Sequence, residues 1–130
     1  HNTDFWINLG YIYEAEGKAQ EAIKCYRQVT LIDVNDYEAW ISLNSLLMRM
    51  KEFELALVYL REAFIQFPGD DRLRIRLAEC HFRRGTESIG IKYLKAALIS
   101  NSSVIEEFEK SYKKILWSPA IHELVGKYVS

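Results

Sequence analysis

Residues 3–36 read TDFWINLGYIYEAEGKAQEAIKCYRQVTLIDVND, two apolar helical stripes separated by a glycine. Phe5, Trp6, Leu9 and Tyr13 fall on one helical face, and Ala22, Ile23, Tyr26 and Val29 fall on another. Gly17 marks a turn too short to carry the second helix away, so the pair must fold back antiparallel. The same pattern then recurs down the chain. Trp6 and Trp40 stand 34 residues apart, and Leu9, Leu43 and Leu77 keep that interval. Ala22, Ala56 and Gly90 repeat it, as do Gly17, Lys51 and Gly85, Tyr26, Leu60 and Leu94, and Val29, Ala63 and Ala97. Registers that agree on one period imply stacked copies of one hairpin.

Working outward, breaks fall at Asn35-Asp36, Pro68-Gly69-Asp70, Ser100 to Ser103 and Trp117-Ser118-Pro119. Asn35 with Glu38 and Ser103 with Glu106 have capping-box spacing, and Ser118-Pro119 places a cap before a proline at the first helical position. About eight helices of roughly 10–16 residues are predicted, with no strand. The expected organisation is one domain over 1–130, with hairpins at 3–36, 37–70 and 71–103 and a C-terminal helix pair at 104–130. In that last segment Val104, Ile105, Phe108, Tyr112, Ile115 and Leu116 share one stripe, and Ile121, Leu124, Val125 and Tyr128 another. The pair is expected to give the stack its polar outer side, or to dock on a further unit or sister chain.

The motif Trp6-x2-Leu9-Gly10-x2-Tyr13, followed by Ala22-x3-Tyr26, resembles the tetratricopeptide repeat. The second hairpin keeps Trp40, Leu43, Ala56, Ala63 and Pro68. The third is degenerate, with Arg74 at the tryptophan position and Gly90 at the alanine. The resemblance implies an all-α, right-handed α-α superhelix of such hairpins with a C-terminal capping helix pair. Small residues at Ala22, Ala56 and Gly90 fit a place where the two helices of a hairpin come too close for a larger side chain.

Composition excludes several classes. Hydrophobic residues make up 49% of the chain, with only two prolines and six glycines, so intrinsic disorder and collagen-like structure are ruled out. Folding as a globule would bury roughly two thirds of the extended chain's surface, enough for a core without staples. No stretch approaches the ~18–20 apolar residues of a membrane span. Seventeen basic residues against eighteen acidic give a net charge of −1, with no global field to hold nucleic acid. Cys25 and Cys80 lie in helical apolar patterns without metal-ligand spacing, so both are expected as buried thiols in a reducing, cytoplasmic setting. The chain begins at His1 without a methionine or a leader-like stretch, and it reads as a piece of a longer protein.

No catalytic constellation appears. His1 is terminal, His81 sits at the tyrosine register of the third hairpin as a packed ring, and His122 lies near the end. HExxH, GxSxG, P-loop and GxGxxG motifs are missing from the sequence, so no enzyme activity and no cofactor are expected. The family resemblance instead implies a groove lined by the first helix of each hairpin, receiving a peptide or protein segment. By register, that groove takes Ile7, Asn8, Tyr11 and Glu14 from the first hairpin and Ile41, Ser42, Ser45, Met48 and Arg49 from the second. The third gives Arg72, Ile75, Arg76, Glu79, Phe82 and Arg83. Arg72, Arg76 and Arg83 lie within about 40° of one another around the helix, with Glu79 among them: either a basic stripe suited to an acidic segment or a solvated face paired with Asp70, Asp71 and Glu79. The family's chaperone-tail clamp matches only at Arg72 and Arg76; Ile7, Tyr11 and Ser42 stand where Lys, Asn and Asn are needed. The expected partner is a protein or peptide, with neither nucleic acid nor membrane. In a second reading, copies stack through their terminal helices as a spacer or homo-oligomer.

Overall fold

In the structure, a computed structural model describing residues 2–129, eight α-helices follow one another with no strand among the described residues. They are α1 (Asn2–Ala15), α2 (Ala19–Ile32), α3 (Tyr37–Arg49), α4 (Phe53–Gln66), α5 (Asp71–Arg84), α6 (Glu87–Ser100), α7 (Ile105–Ser111) and α8 (Pro119–Tyr128). Short 3-10 turns precede α7 at Ser102–Val104 and follow it at Lys114–Leu116. The chain divides into two compact units, His1–Phe67 with α1 to α4 and Pro68–Ser130 with α5 to α8.

The turn chemistry shows why the hairpins have such tight ends. Gly17 and Gly85 sit at φ +75° and +95°, a region that a Cβ makes costly, and Lys51 holds the equivalent place at φ +59°. The starts of α3 and α5 are fixed by aspartates: Ala39 N donates to Asp36 Oδ1 at 3.1 Å and Leu73 N donates to Asp70 Oδ1 at 2.9 Å. The cap of α3 is therefore Asp36, one residue later than the Asn35 box suggests. Ser103 does not cap α7 either; its own backbone N–H donates to Asn101. Ser118 behaves as expected, accepting from Ile121 N at 3.3 Å with Pro119 in the first turn.

In the first unit, Ala22, Tyr26, Val29, Leu43, Leu47, Ala56, Leu57 and Leu60 are buried. Trp40 Nε1 donates to Val34 O at 2.9 Å, pinning the α2–α3 turn. Arg27 joins three helices: its guanidinium lies 4.6 Å from the Tyr59 ring and 5.9 Å from the Trp40 ring, and it pairs with Glu62 at 2.8 Å. Both cysteines are buried outside any disulfide, and burial pushes the Cys25 thiol up.

In the second unit, Ile75, Ala78 and Phe82 of α5 and Leu94, Ala97 and Leu98 of α6 share one core with Phe108, Tyr112, Trp117, Ile121, Leu124 and Val125. The C-terminal segment thus covers the third hairpin, with Glu106, Glu107, Lys110 and Lys113 left exposed. Its path differs from the predicted stripe. Only seven residues of α7 are helical, Tyr112 turns to an extended conformation, and Ile115 and Leu116 face solvent. His81 is buried as expected, 2.7 Å from Thr86 Oγ1 through Nδ1 and stacked on Tyr93.

In the third hairpin the two helices come closest at Gly90. A Cβ there would meet the Phe82 ring at 2.6 Å and the Ala78 backbone carbonyl at 3.0 Å. Gly126, inside α8, would meet nothing within 4 Å. Helix propensity favours alanine at both sites by about 1 kcal/mol, whereas overpacking at Gly90 costs about 1–3 kcal/mol. Urea denaturation is therefore expected to show Gly90→Ala lowering stability and Gly126→Ala raising it by about 0.5–1 kcal/mol.

Candidate functional site

Two places gather the side chains that register assigns to a ligand groove. The first lies between α1 and α3. Tyr11, Glu14, Ala15, Gly17, Ala19, Leu46 and Arg49 line an open cavity of about 640 Å³. Tyr11 is half exposed, and its ring lies edge-on to Tyr26 at 5.9 Å between centroids. Glu14 accepts from the Tyr26 hydroxyl and from the Arg49 guanidinium, so one carboxylate ties α1 to α2 and α3. Gly10 allows this arrangement, since a Cβ there would stand 2.5 Å from Tyr26 Cε1. Burial first, and then the bond to Glu14, push the Tyr26 phenol well up, with Arg49 partly offsetting them. Of the other residues expected here, Asn8 is exposed, Ile7, Ser45 and Met48 are half-buried, and Ile41 is buried. The expectation of an open Ile41 is thus corrected, because its side chain is committed to packing.

The second place is the α5 face, and it differs from the open basic stripe that the helix geometry suggests. The chain's own α7 lies on it. Arg72 Nε is 3.5 Å from Glu107 Oε1, while Arg83 Nε donates to Glu79 at 2.7 Å and Arg83 NH2 donates to the Ser111 carbonyl at 3.0 Å. The Ser111 hydroxyl donates to Glu79. Phe82 stacks on Tyr112 at 5.6 Å and meets Phe108 at 6.0 Å, and the Arg83 guanidinium sits 5.1 Å from the Tyr112 ring. Burial raises the Tyr112 phenol, an effect that Arg83 opposes. Arg72, Ile75, Arg76, Glu79, Glu107 and Ser111 surround a cavity of only about 40 Å³. Glu79 and Phe82 are accordingly buried, and Arg72, Arg76 and Arg83 face groups of the same chain. An acidic segment does meet this stripe, but α7 supplies it.

A further repeating register carries a different signal. Leu31, Ile65 and Ile99 keep the 34-residue interval, yet they are 60%, 75% and 62% exposed. Apolar repetition alone assigns such a register to the core, and only coordinates separate it from Val29, Ala63 and Ala97 two positions earlier. Among the described residues, no three His, Cys, Asp or Glu side chains gather to hold a metal.

Residues 3–36 match the tetratricopeptide repeat family model, so the first hairpin is a repeat of that family. Among curated proteins none matches the chain in sequence. Among solved structures, the fold is similar to the type III secretion translocator chaperone SycD of Yersinia enterocolitica, in a crystal structure described as an alternative dimer. That match has a TM-score of 0.70 at 17% identity, over 98% of this chain and 91% of that one. PcrH, a Pseudomonas aeruginosa protein, is similar in its complex with the chaperone binding region of PopB, with a TM-score of 0.63 at 17% identity over 97% and 90% of the two chains. MamA matches with a TM-score of 0.67 at 20% identity over 86% of this chain, and the match spans 58% of the MamA chain. At these identities the shared property is the all-helical repeat fold.

Two measurements check the geometry of these faces. Arg83→Met should cost about 1–3 kcal/mol in urea denaturation, because it strands Glu79 and the Ser111 carbonyl. Arg72→Met, which breaks an exposed pair, should cost at most about 1 kcal/mol. The raised phenol of Tyr26 contributes stability that is complete below the free tyrosine value near 10 and is lost as pH rises beyond it. Tyr26→Phe should therefore be less stable than the parent by about 1.5–3 kcal/mol near pH 8, and the gap should narrow above about pH 10.

Proposed function

We propose that this chain is a non-catalytic protein-interaction module that takes a peptide or protein segment on the α1–α3 face, at the cavity of Tyr11, Glu14, Leu46 and Arg49. One observation carries the reading: Tyr11 stays half exposed at the mouth of a cavity whose walls are already fixed by the Glu14 clasp. Its volume of about 640 Å³ falls in the range of ligand-accepting clefts. A ring held in place before the ligand arrives loses little entropy on binding, and tyrosine supplies large amphipathic contact area. Leu46, Ala15 and Ala19 offer an apolar wall for one aliphatic side chain. Arg49, with more than half its side chain in solvent, keeps donors for a carboxylate or a peptide carbonyl of the segment.

Two further facts support this choice. The α5 face, which would otherwise compete as a site for an acidic segment, is occupied by α7. PcrH, of similar fold, is solved with a segment of another protein. The ligand preference proposed for this chain is therefore an aliphatic residue next to an acidic or carbonyl-bearing one, presented to the first unit.

A phage-displayed library of random peptides, panned on the 130-residue chain, tests the site without a known partner. Selected peptides should bind Tyr11→Asp and Arg49→Ala at least tenfold more weakly, a loss of about 1.4 kcal/mol, in fluorescence titration. They should bind Arg72→Glu as tightly as the parent, with circular dichroism unchanged in all three variants. Peptides indifferent to Tyr11 and Arg49, or weakened by Arg72→Glu, would place binding elsewhere.

A further inference from the structure

Two exposed apolar features lie outside the site just described, and they are complementary in shape class and charge. The first is a tip. Ile115, in the turn between α7 and α8, is 92% exposed, and Leu116 beside it is half exposed. The turn that presents them is firmly held. Leu116 N donates to Lys113 O at 2.8 Å, Trp117 N donates to Lys114 O at 3.0 Å, and the Trp117 indole donates to Tyr112 O at 2.8 Å. The buried Trp117 ring also stacks on Phe108 at 5.6 Å. Lys110, Lys113 and Lys114 surround the tip, all exposed, and residues 110–117 contain no acid. Lys114 pairs with Glu109 at 3.4 Å.

The second feature is a socket in the first unit. Leu31, Val34, Trp40 and Ile65 form the apolar side of a cavity of about 180 Å³ whose polar side is the Arg27–Glu62 pair with Thr30 and Gln66. An apolar cavity of about 150 Å³ suffices for a benzene-sized group, so a branched aliphatic side chain fits. That pair neutralises itself, which leaves the adjoining turn to set the local sign. Asp33, Asp36 and Glu38 fall within six residues of that turn, and residues 28–48 contain no Lys or Arg.

We propose that a second copy of this chain occupies the socket, inserting Ile115 and Leu116 among Leu31, Val34, Trp40 and Ile65, with Lys113 and Lys114 set against Asp33, Asp36 and Glu38. The contact is heterologous: each copy offers a tip to one neighbour and a socket to another or to the same one. Charge complementarity selects the occupant. The chain carries both halves in opposite charge, whereas an acidic or uncharged partner segment would gain nothing from the acidic turn. So small a contact associates weakly, roughly in the micromolar to millimolar range, and it is independent of the Tyr11–Arg49 site.

Light scattering after size exclusion, with sedimentation equilibrium up to about 1 mM chain, tests this on the 130-residue protein. The parent should show a mass that rises with concentration, and raising salt from about 50 to 500 mM should weaken association severalfold. Ile115→Asp and Ile65→Asp, both at exposed positions, should each stay monomeric with parental circular dichroism. Mixed one to one, the two variants should associate again, since each supplies the half that the other lacks. A parent that stays monomeric at about 1 mM would overturn the proposal. So would Ile115→Asp associating like the parent, or a mixture of the two variants that fails to recover.

Discussion

The distance at which two helices of one hairpin can approach each other governs this molecule. In the first hairpin, Gly10 leaves room for the Tyr26 ring, and in the third, Gly90 leaves room for the Phe82 ring and the Ala78 carbonyl. Interiors packed to crystal-like density do not absorb an extra methyl at such points without moving backbone. The aromatic ring sits on different helices in the two hairpins, so the same close approach is met by opposite pairs of small and large residues. Ala22 and Gly90 share one register, and Glu14 of repeat one and Phe82 of repeat three share another.

That exchange accounts for the glycine at position 90 of the third repeat. Losing the alanine methyl at position 90 makes space for Phe82, and Phe82 in turn provides the surface on which Phe108 and Tyr112 settle. The glycine at position 90 is thus linked to the docking of α7. In contrast, Glu14 at this register in the first repeat receives Tyr26 and Arg49 and leaves a cavity beside them. One position, read three times along the chain, separates a covered face from an open one.

Much of this was legible in the residues themselves. The 34-residue period gave the hairpins, their turns and the buried registers, because each depends on local spacing that repeats. Tyr11 and Arg49 were legible as surface positions of their helices, although the Glu14 carboxylate that ties Arg49 to Tyr26 was not. The course of the chain after Ser111 was illegible for a clear reason. Val104 to Leu116 keeps helical apolar spacing, but the helix ends because the Trp117 ring packs on Phe108 and its indole N–H takes the Tyr112 carbonyl. Periodicity carries no information about a bond between a side chain and a carbonyl five residues before it. The α5 arginines failed in the same way: angular position on a helix shows which residues share a face, not what lies on it.

The covering of α5 is structural, not a latch that a ligand could lift. The ion pair of Arg72 and Glu107 is half exposed and worth at most about 1 kcal/mol. Phe108, by comparison, is fully buried, and removing such a ring costs about 3–5 kcal/mol. Tyr112, Trp117, Ile121 and Leu124 are anchored in the same core. An acidic segment competing for the arginines would gain the small term and forfeit the large ones. The apolar contacts therefore decide where α7 lies, the charges only orient it, and a partner of this protein must use surfaces that the chain leaves uncovered.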